Sequence, residues 1–153
     1  MDYKEEIMSV PYNLRNVKET ETTNKFDAVD KCAALLNHAL QCCLGDKVQA
    51  SAYAPLANEI LAYSEDVFLD AFEANGVPYK HGRITEQNYT DRISLIISAM
   101  KGCVRLDGLL YIGKKNFHWR EKKRKFWSDM TKEAHEQLAK WMTWCENEYK
   151  ICK

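Results

Sequence analysis

The sequence predicts an all-α protein whose architecture is an antiparallel up-down four-helix bundle. Three observations lead to this fold class: apolar residues recur at helical spacing in four segments, no segment alternates apolar and polar residues as a strand would, and only three prolines interrupt the chain. A chain of 153 residues is long enough to bury a core without disulfides or a metal. We therefore expect one bundle domain over residues 24–150, after an N-terminal arm (1–23) and before a C-terminal tail (151–153).

The first two helices are predicted between residues 24 and 76. Asn24, with Asp27 three residues later, is typical of a helix N-cap, and the first helix is expected to run from Phe26 to Gly45. The second is expected to begin at Ser51 and Pro55 and to end at Asn75-Gly76. Its outer side carries an acidic stripe, which we interpret as a solvated face, composed of Glu59, Asp66, Asp70 and Glu73.

The third predicted helix opens at Thr85 and Asn88 and continues to about Gly113. Its apolar arc spans roughly 200°, wider than a surface helix needs, so we expect it to contact both its own bundle and another subunit. Close backbone approach is expected at Gly102 and Gly108. The predicted oligomer interface on this helix consists of Arg92, Leu95, Leu106 and Asp107.

The fourth predicted helix begins between Lys123 and Phe126 and ends near Tyr149. Phe126 and Trp127 are expected in the core, in phase with Met130.

The chemistry of a known active site is missing from the sequence. No Glu stands three residues before any of the four histidines, as a di-iron bundle requires, and no phosphate-binding glycine loop occurs. The six cysteines form no C-x-x-C pair, and we expect most of them to be reduced core residues. We predict a protein that is not an enzyme, holds no cofactor or metal, and resides in the cytoplasm, because neither a membrane span nor a signal peptide is evident.

The segment GKKNFHWREKKRKFW (113–127) is the strongest feature of a chain whose net charge is zero. Residues 114–125 contain seven positive charges and one negative, a net of +6, whereas residues 26–113 have a net of −4. Basic side chains bind phosphates and aromatic rings stack on unpaired bases. Three interpretations stay open: a nucleic-acid surface, a docking surface for an acidic partner or subunit, and a solvated connection. The predicted nucleic-acid-binding residues are Lys114, Lys115, His118, Trp119, Arg120, Lys122, Lys123, Arg124 and Lys125.

Several stretches resemble the four-helix-bundle family of the accessory variability determinant (Avd) proteins of diversity-generating retroelements, which includes bundle proteins encoded in ribosomal RNA intervening sequences. They are RNVKETETTNKFDAVDK (15–31), Ala57 to Ile60 with Glu73 to Asn75, Tyr89-x-x-Arg92 leading to LDGLLYIG (106–113), and KFWSDMTKEAHEQLAKW (125–141). The resemblance implies a non-enzymatic, barrel-like homopentamer that binds a reverse transcriptase and its template RNA. Five copies of a weak patch would bind one RNA through avidity.

The sequence departs from that family between the first two helices, where members usually carry a basic cluster. The corresponding segment here, GDKVQASAY (45–53), has Lys47 as its single base. RNA contact would therefore fall to Lys114 through Lys125, helped by Lys101 and Arg105. The alternative function is a helical oligomeric protein-interaction module without nucleic-acid binding.

Overall fold

A computed structural model describes residues 27–117 and 119–152. Over these residues all the regular secondary structure is helical, without a strand, which confirms the predicted all-α class. The described helices are α1 (Ala28–Cys43), α2 (Asp46–Gln49), α3 (Ala54–Gly76), α4 (Glu86–Phe117) and α5 (Glu121–Ile151). The predicted arm and the Asn24 cap lie outside the described residues, and within them no helix has the length and apolar character needed to cross a membrane.

The four long helices pack in a ring in which α3 lies against α1 and α4, and α5 lies against α4 and α1. Contacts between α3 and α4 show that these helices are antiparallel: a Cβ on Gly102 would meet Val67, whereas Ser98 donates to Asp70 at 2.7 Å. The residue numbers therefore rise along one helix as they fall along the other. The same holds for α1 and α5, where Lys31 pairs with Glu133 and His38 lies against Trp127.

The core is formed by small and aliphatic side chains from all four helices around two fully buried indoles, Trp127 and Trp141. All six cysteines are unpaired thiols, and four of them are buried as predicted, namely Cys32, Cys43, Cys103 and Cys145. Gly102 is the close-approach position that the sequence predicts, whereas Gly108 has open space where a Cβ would lie, so no part of the same chain approaches it.

The two ends of the bundle are covered differently because α1 has 16 residues and α5 has 31. The backbone N–H of Asp27, at the start of α1, donates to Gln137, so α1 covers the first half of α5. Beyond that point the connection between α3 and α4 replaces it. Tyr79 donates its hydroxyl to the backbone oxygen of Cys145 at 2.5 Å, and His81 lies 2.5 Å from a carboxylate oxygen of Glu148.

Arg92 is the largest polar side chain in the core and has no exposed surface. Its Nε donates to the backbone oxygen of Ala74 at 3.0 Å and its Nη2 to that of Val77 at 2.8 Å. The guanidinium also lies over the rings of Tyr79 (4.4 Å) and Trp141 (5.3 Å). Carbonyls at a helix C-terminus have no intrahelical partner, so Arg92 satisfies the end of α3 from within the bundle.

This position corrects the predicted oligomer interface. Arg92 and Leu106 are fully buried within the single chain, so neither presents surface to a second copy. Leu95 and Asp107 are half-buried, and Asp107 accepts a hydrogen bond from Ser128 at 2.9 Å. The helical wheel placed the four residues in one apolar arc correctly, but most of that arc faces α3 and α5.

Candidate nucleic-acid interface

The basic segment lies where α4 ends and α5 begins, and it is more helical than the sequence predicts. Helix α4 continues past Gly113 to Phe117, and α5 starts at Glu121, so the connection is three residues long. Two contacts explain the extension: Asn116 Nδ2 donates to the backbone oxygen of Ile112 at 2.9 Å, and Phe117 stacks on Trp119 at 5.1 Å between centroids. His118 lies outside the described residues.

Three of the seven cations in this segment form ion pairs within the chain. Lys114 Nζ lies 3.0 Å from Glu121, Arg124 donates to the same carboxylate, and Lys125 pairs with Asp129 at 2.9 Å. The hydrogen bond from Arg124, followed by that from Lys114, lowers the pKa of Glu121 to about 2. Glu121 therefore stays ionised and ties the end of α4 to the start of α5.

The other four cations, which we call the free basic cluster, have no carboxylate partner in the part of the chain that the structure describes. All four are exposed: Lys115, Arg120, Lys122 and Lys123. Lys115 lies over the ring of Tyr111 at 4.9 Å and Lys123 near the ring of Trp119 at 5.7 Å. The cluster therefore presents its charge to solvent at one end of the molecule.

The position of these charges on α5 is locally unfavourable. Lys122, Lys123, Arg124 and Lys125 occupy the beginning of a 31-residue helix, where the unpaired N–H groups give the helix dipole its positive end. Each cation there costs a few tenths of a kcal/mol, roughly, relative to a neutral residue. The ion pairs of Arg124 with Glu121 and of Lys125 with Asp129 offset this cost for two of the four cations, and a bound anion would offset it for Lys122 and Lys123.

Trp119 is engaged within the chain. Its ring stacks on Phe117, lies 5.1 Å from Trp127, and occupies the space above Gly113, where a Cβ would come within 3.0 Å of the indole. Its main evident role is therefore to hold the connection against α4 and α5.

Other aromatic side chains are exposed beside the free basic cluster. Tyr111 and Phe126 are each 56% exposed, and Tyr53 is 42% exposed. The prediction that Phe126 belongs to the core is wrong, because more than half of its side chain is exposed. Its ring packs edge-to-face on His38, with 5.4 Å between the ring centroids.

His38 and Cys42 lie close to Lys123 and could in principle act as a base and a thiol nucleophile, since Nε2 and Sγ are 3.5 Å apart. Burial, followed by the charge of Lys123, lowers the pKa of His38. Burial raises the pKa of Cys42, and Lys123 opposes that shift in part. A thiol that stays protonated at neutral pH is a poor nucleophile. Among the described residues, no group of three or more His, Cys, Asp or Glu side chains is arranged to hold a metal ion.

The acidic stripe on α3 is partly offset by its own neighbours. Asp66 and Asp70 border a cavity of about 340 Å³ together with Lys101 and Arg105 of α4. Two of the four stripe carboxylates therefore face cations of the same chain, which weakens the stripe as a receptor for the basic segment of another copy.

The outer face of α4 carries an apolar stripe of Ile97, Val104 and Tyr111, which are 38%, 63% and 56% exposed. Residues seven apart lie within about 20° of one another around a helix, so the three side chains form one line. Gly108 lies between the last two, and a Cβ at that position would have nothing within 4 Å. This stripe is the outward part of the wide arc that the sequence predicts for the third helix.

Comparisons with protein-family models, with curated proteins and with solved structures found no match for this chain. The resemblance to the Avd family therefore stays a prediction from the residues quoted for it.

Proposed function

We propose that this chain is a non-enzymatic, oligomeric RNA-binding protein of the cytoplasm that acts as an accessory to a reverse transcriptase, as in a diversity-generating retroelement. The observation that carries RNA binding is the free basic cluster, four exposed cations beside the exposed rings of Tyr111 and Phe126. Phosphates bind the cations and unpaired bases stack on the rings, so single-stranded or looped RNA suits this surface.

The unfavourable placement of the cations supports the same proposal. Basic residues at the start of α5 oppose its dipole, and a phosphate there would be attracted by both the side chains and the free N–H groups. A monomer with about four phosphate contacts would bind weakly, with a slope of log affinity against log salt of about −3. An assembly would multiply the contacts without any change in the surface.

RNA binding is tested by reversing the two cations that are least engaged within the chain. We expect Arg120→Glu with Lys122→Glu to weaken binding of a structured RNA by about tenfold or more at moderate salt, in a fluorescence anisotropy titration. The matched control is Lys132→Glu with Lys150→Glu, which makes the same change in net charge further along α5, away from the cluster. Equal loss in both variants would mean that overall charge, not this surface, binds the RNA.

Oligomerisation is supported by the apolar stripe of α4. Its three large side chains lie on one line and are each at least 38% exposed, a pattern that indicates contact with another helix. We expect a barrel-like ring, with five copies as the resemblance implies. Light scattering coupled to size exclusion is expected to give several chain masses for the natural protein and one chain mass for Val104→Asp, while Leu69→Asp, a similarly exposed apolar position on α3, leaves the assembly intact.

The reverse transcriptase partner rests on the resemblance alone. Co-expression with a reverse transcriptase encoded beside the gene is expected to give a complex that survives purification and supports complementary-DNA synthesis.

The second candidate is a helical assembly module without nucleic-acid binding. The apolar stripe of α4 favours this candidate, because apolar contact between subunits needs no charged surface. Two results together would select this candidate. The assembly is lost in Val104→Asp, and the mass of the natural protein in light scattering does not change when RNA is added.

A further inference from the structure

Aromatic rings form a continuous row, which we call the ring row, across the end of the bundle that carries the free basic cluster. Each ring centroid lies 4.8–5.6 Å from the next. The row starts where α3 begins, crosses the connection between α4 and α5, and ends between α1 and α5. In order, the rings belong to Tyr53, Phe117, Trp119, Trp127, His38 and Phe126.

The two terminal rings of the row are the accessible ones. Tyr53 is 42% exposed and Phe126 is 56% exposed, whereas Trp127 is fully buried and the other three rings are half-buried. Each terminal ring meets its neighbour in a T-shaped contact, with interplanar angles of 73° for Tyr53 and 72° for Phe126. A T-shaped contact leaves at least one face of the terminal ring free of that neighbour, so a flat ligand can stack there.

The backbone of Tyr53 is fixed at the start of α3 by three hydrogen bonds. Its N–H donates to Ser51 Oγ at 3.2 Å. Its carbonyl oxygen accepts from the N–H groups of Leu56 and Ala57 at 3.0 and 3.1 Å. A ring that is in place before a ligand arrives loses little conformational freedom on binding, so more of the stacking energy appears as affinity.

Cations of the free basic cluster lie between the two exposed rings. Lys123 is 5.7 Å from the ring of Trp119, in the middle of the row. Arg120 follows Trp119 in the chain, and Lys122 precedes Phe126 by four residues on α5, which places the last two on the same side of the helix. A nucleic-acid strand that follows the row therefore meets phosphate-binding charge between two stacking surfaces.

We propose that this end of the molecule binds a short unpaired segment of RNA, with one base stacked on Tyr53, another on Phe126, and the phosphates between them on the free basic cluster. Five ring-to-ring contacts join the two rings, so their centroids are at most about 26 Å apart. A stacked strand rises about 3.4 Å per nucleotide, so about eight nucleotides are enough to span that distance.

This inference rests on the proposed RNA binding and adds two base-stacking positions to it. Tyr53 belongs to the connection between α1 and α3, which carries little positive charge, so a search for basic residues passes over it. An RNA duplex presents the same phosphates, but its bases are stacked on one another and are not free to reach the two rings. The arrangement therefore favours single strands and loops over duplexes.

The probe is a fluorescein-labelled uridylate decamer, compared by anisotropy titration with an abasic decamer of the same charge. We expect the natural protein to bind the abasic decamer about fivefold or more weakly than the uridylate, because the bases that stack on the two rings are missing. Equal affinity for the two decamers would overturn the inference, and this result needs no variant to fold.

Variants locate the stacking. Tyr53→Leu and Phe126→Leu replace an exposed ring by an apolar side chain, and each is expected to weaken binding of the uridylate decamer about fivefold. Tyr53→Phe, which keeps the ring, should bind as the natural protein does. Leu44→Ala is the matched control, since Leu44 is 51% exposed at the same end of the bundle and has no ring. An RNA duplex of the same length should bind both leucine variants and the natural protein equally.

Failure of this inference and failure of RNA binding give different results. If Arg120→Glu with Lys122→Glu loses the decamer while both leucine variants bind it normally, the cations bind RNA without the rings and the stacking positions are refuted. If the natural protein binds neither the decamers nor the duplex, the proposed RNA binding is refuted and the inference with it.

Discussion

Arg92 offers the sharpest test of the fold, because its side chain is fully buried and donates to the end of another helix. The substitution Arg92→Met keeps most of the stem volume and removes the guanidinium. The backbone oxygens of Ala74 and Val77, at 3.0 and 2.8 Å from its nitrogens, then lose their donors. Each buried acceptor left without a partner costs about 1–3 kcal/mol, and release of a desolvated charge returns part of that sum.

We therefore expect a loss of about 3 kcal/mol in the free energy of unfolding. For a chain of this size that corresponds to a fall in melting temperature of about 6–12 °C. Arg92→Lys is expected to lose a similar amount, because a single ammonium cannot span both carbonyls. The assay is thermal and urea unfolding followed by circular dichroism, at one protein concentration so that assembly does not alter the comparison.

The control is Arg105→Met, an exposed arginine on the same helix, for which we expect a change within about 0.5 kcal/mol. Equal unfolding curves for the Arg92 and Arg105 variants would refute the role assigned to Arg92. A variant of Arg92 that dissociates the assembly while the chain keeps its stability would restore the interface role that the sequence predicts for this residue.

Two further predictions concern a glycine pair and a histidine. Gly102→Ala should destabilise the protein by about 1–2 kcal/mol, because the new methyl would lie 2.6 Å from Val67, whereas Gly108→Ala should stabilise the dissociated chain by up to about 1 kcal/mol, since nothing in the same chain lies within 4 Å; equal effects in chemical denaturation at low protein concentration would refute the packing argument. His38 has a lowered pKa when folded, so the unfolded chain binds more protons as pH falls below about 6.5, and stability should decrease there; the decrease should be smaller in His38→Gln, and an unchanged pH profile would contradict this.

The sequence predicts the four long helices well, because apolar spacing and the flanking glycines and prolines are local signals. It misses α2, since a helix of four residues, Asp46–Gln49, has no room for a periodic pattern. It ends the third helix at Gly113, which the fold instead uses to accommodate the indole of Trp119. That contact joins residues across a turn and leaves no trace in helical periodicity.

The sequence shows where the cations cluster, but not which of them form ion pairs. The net charge of residues 114–125 is visible in the sequence, but which cations are free depends on Glu121, whose partner Lys114 belongs to the preceding helix. Arg92 was misassigned for a related reason. A helical wheel shows that an arginine lies on an apolar arc. It does not show that the backbone oxygens that accept its hydrogen bonds belong to Ala74 and Val77, at the end of the preceding helix.

The unequal lengths of α1 and α5 also bear on how the molecule opens. No residue of α5 after Cys145 is buried. This end of α5 packs against the loop that joins α3 to α4, which is held in place by the hydrogen bond from Tyr79 to Cys145 and by that from Arg92 to Val77. Native proteins open first where few layers protect the backbone. We therefore expect the backbone N–H groups of α5 beyond Cys145 to exchange with solvent faster than those around the fully buried Trp127.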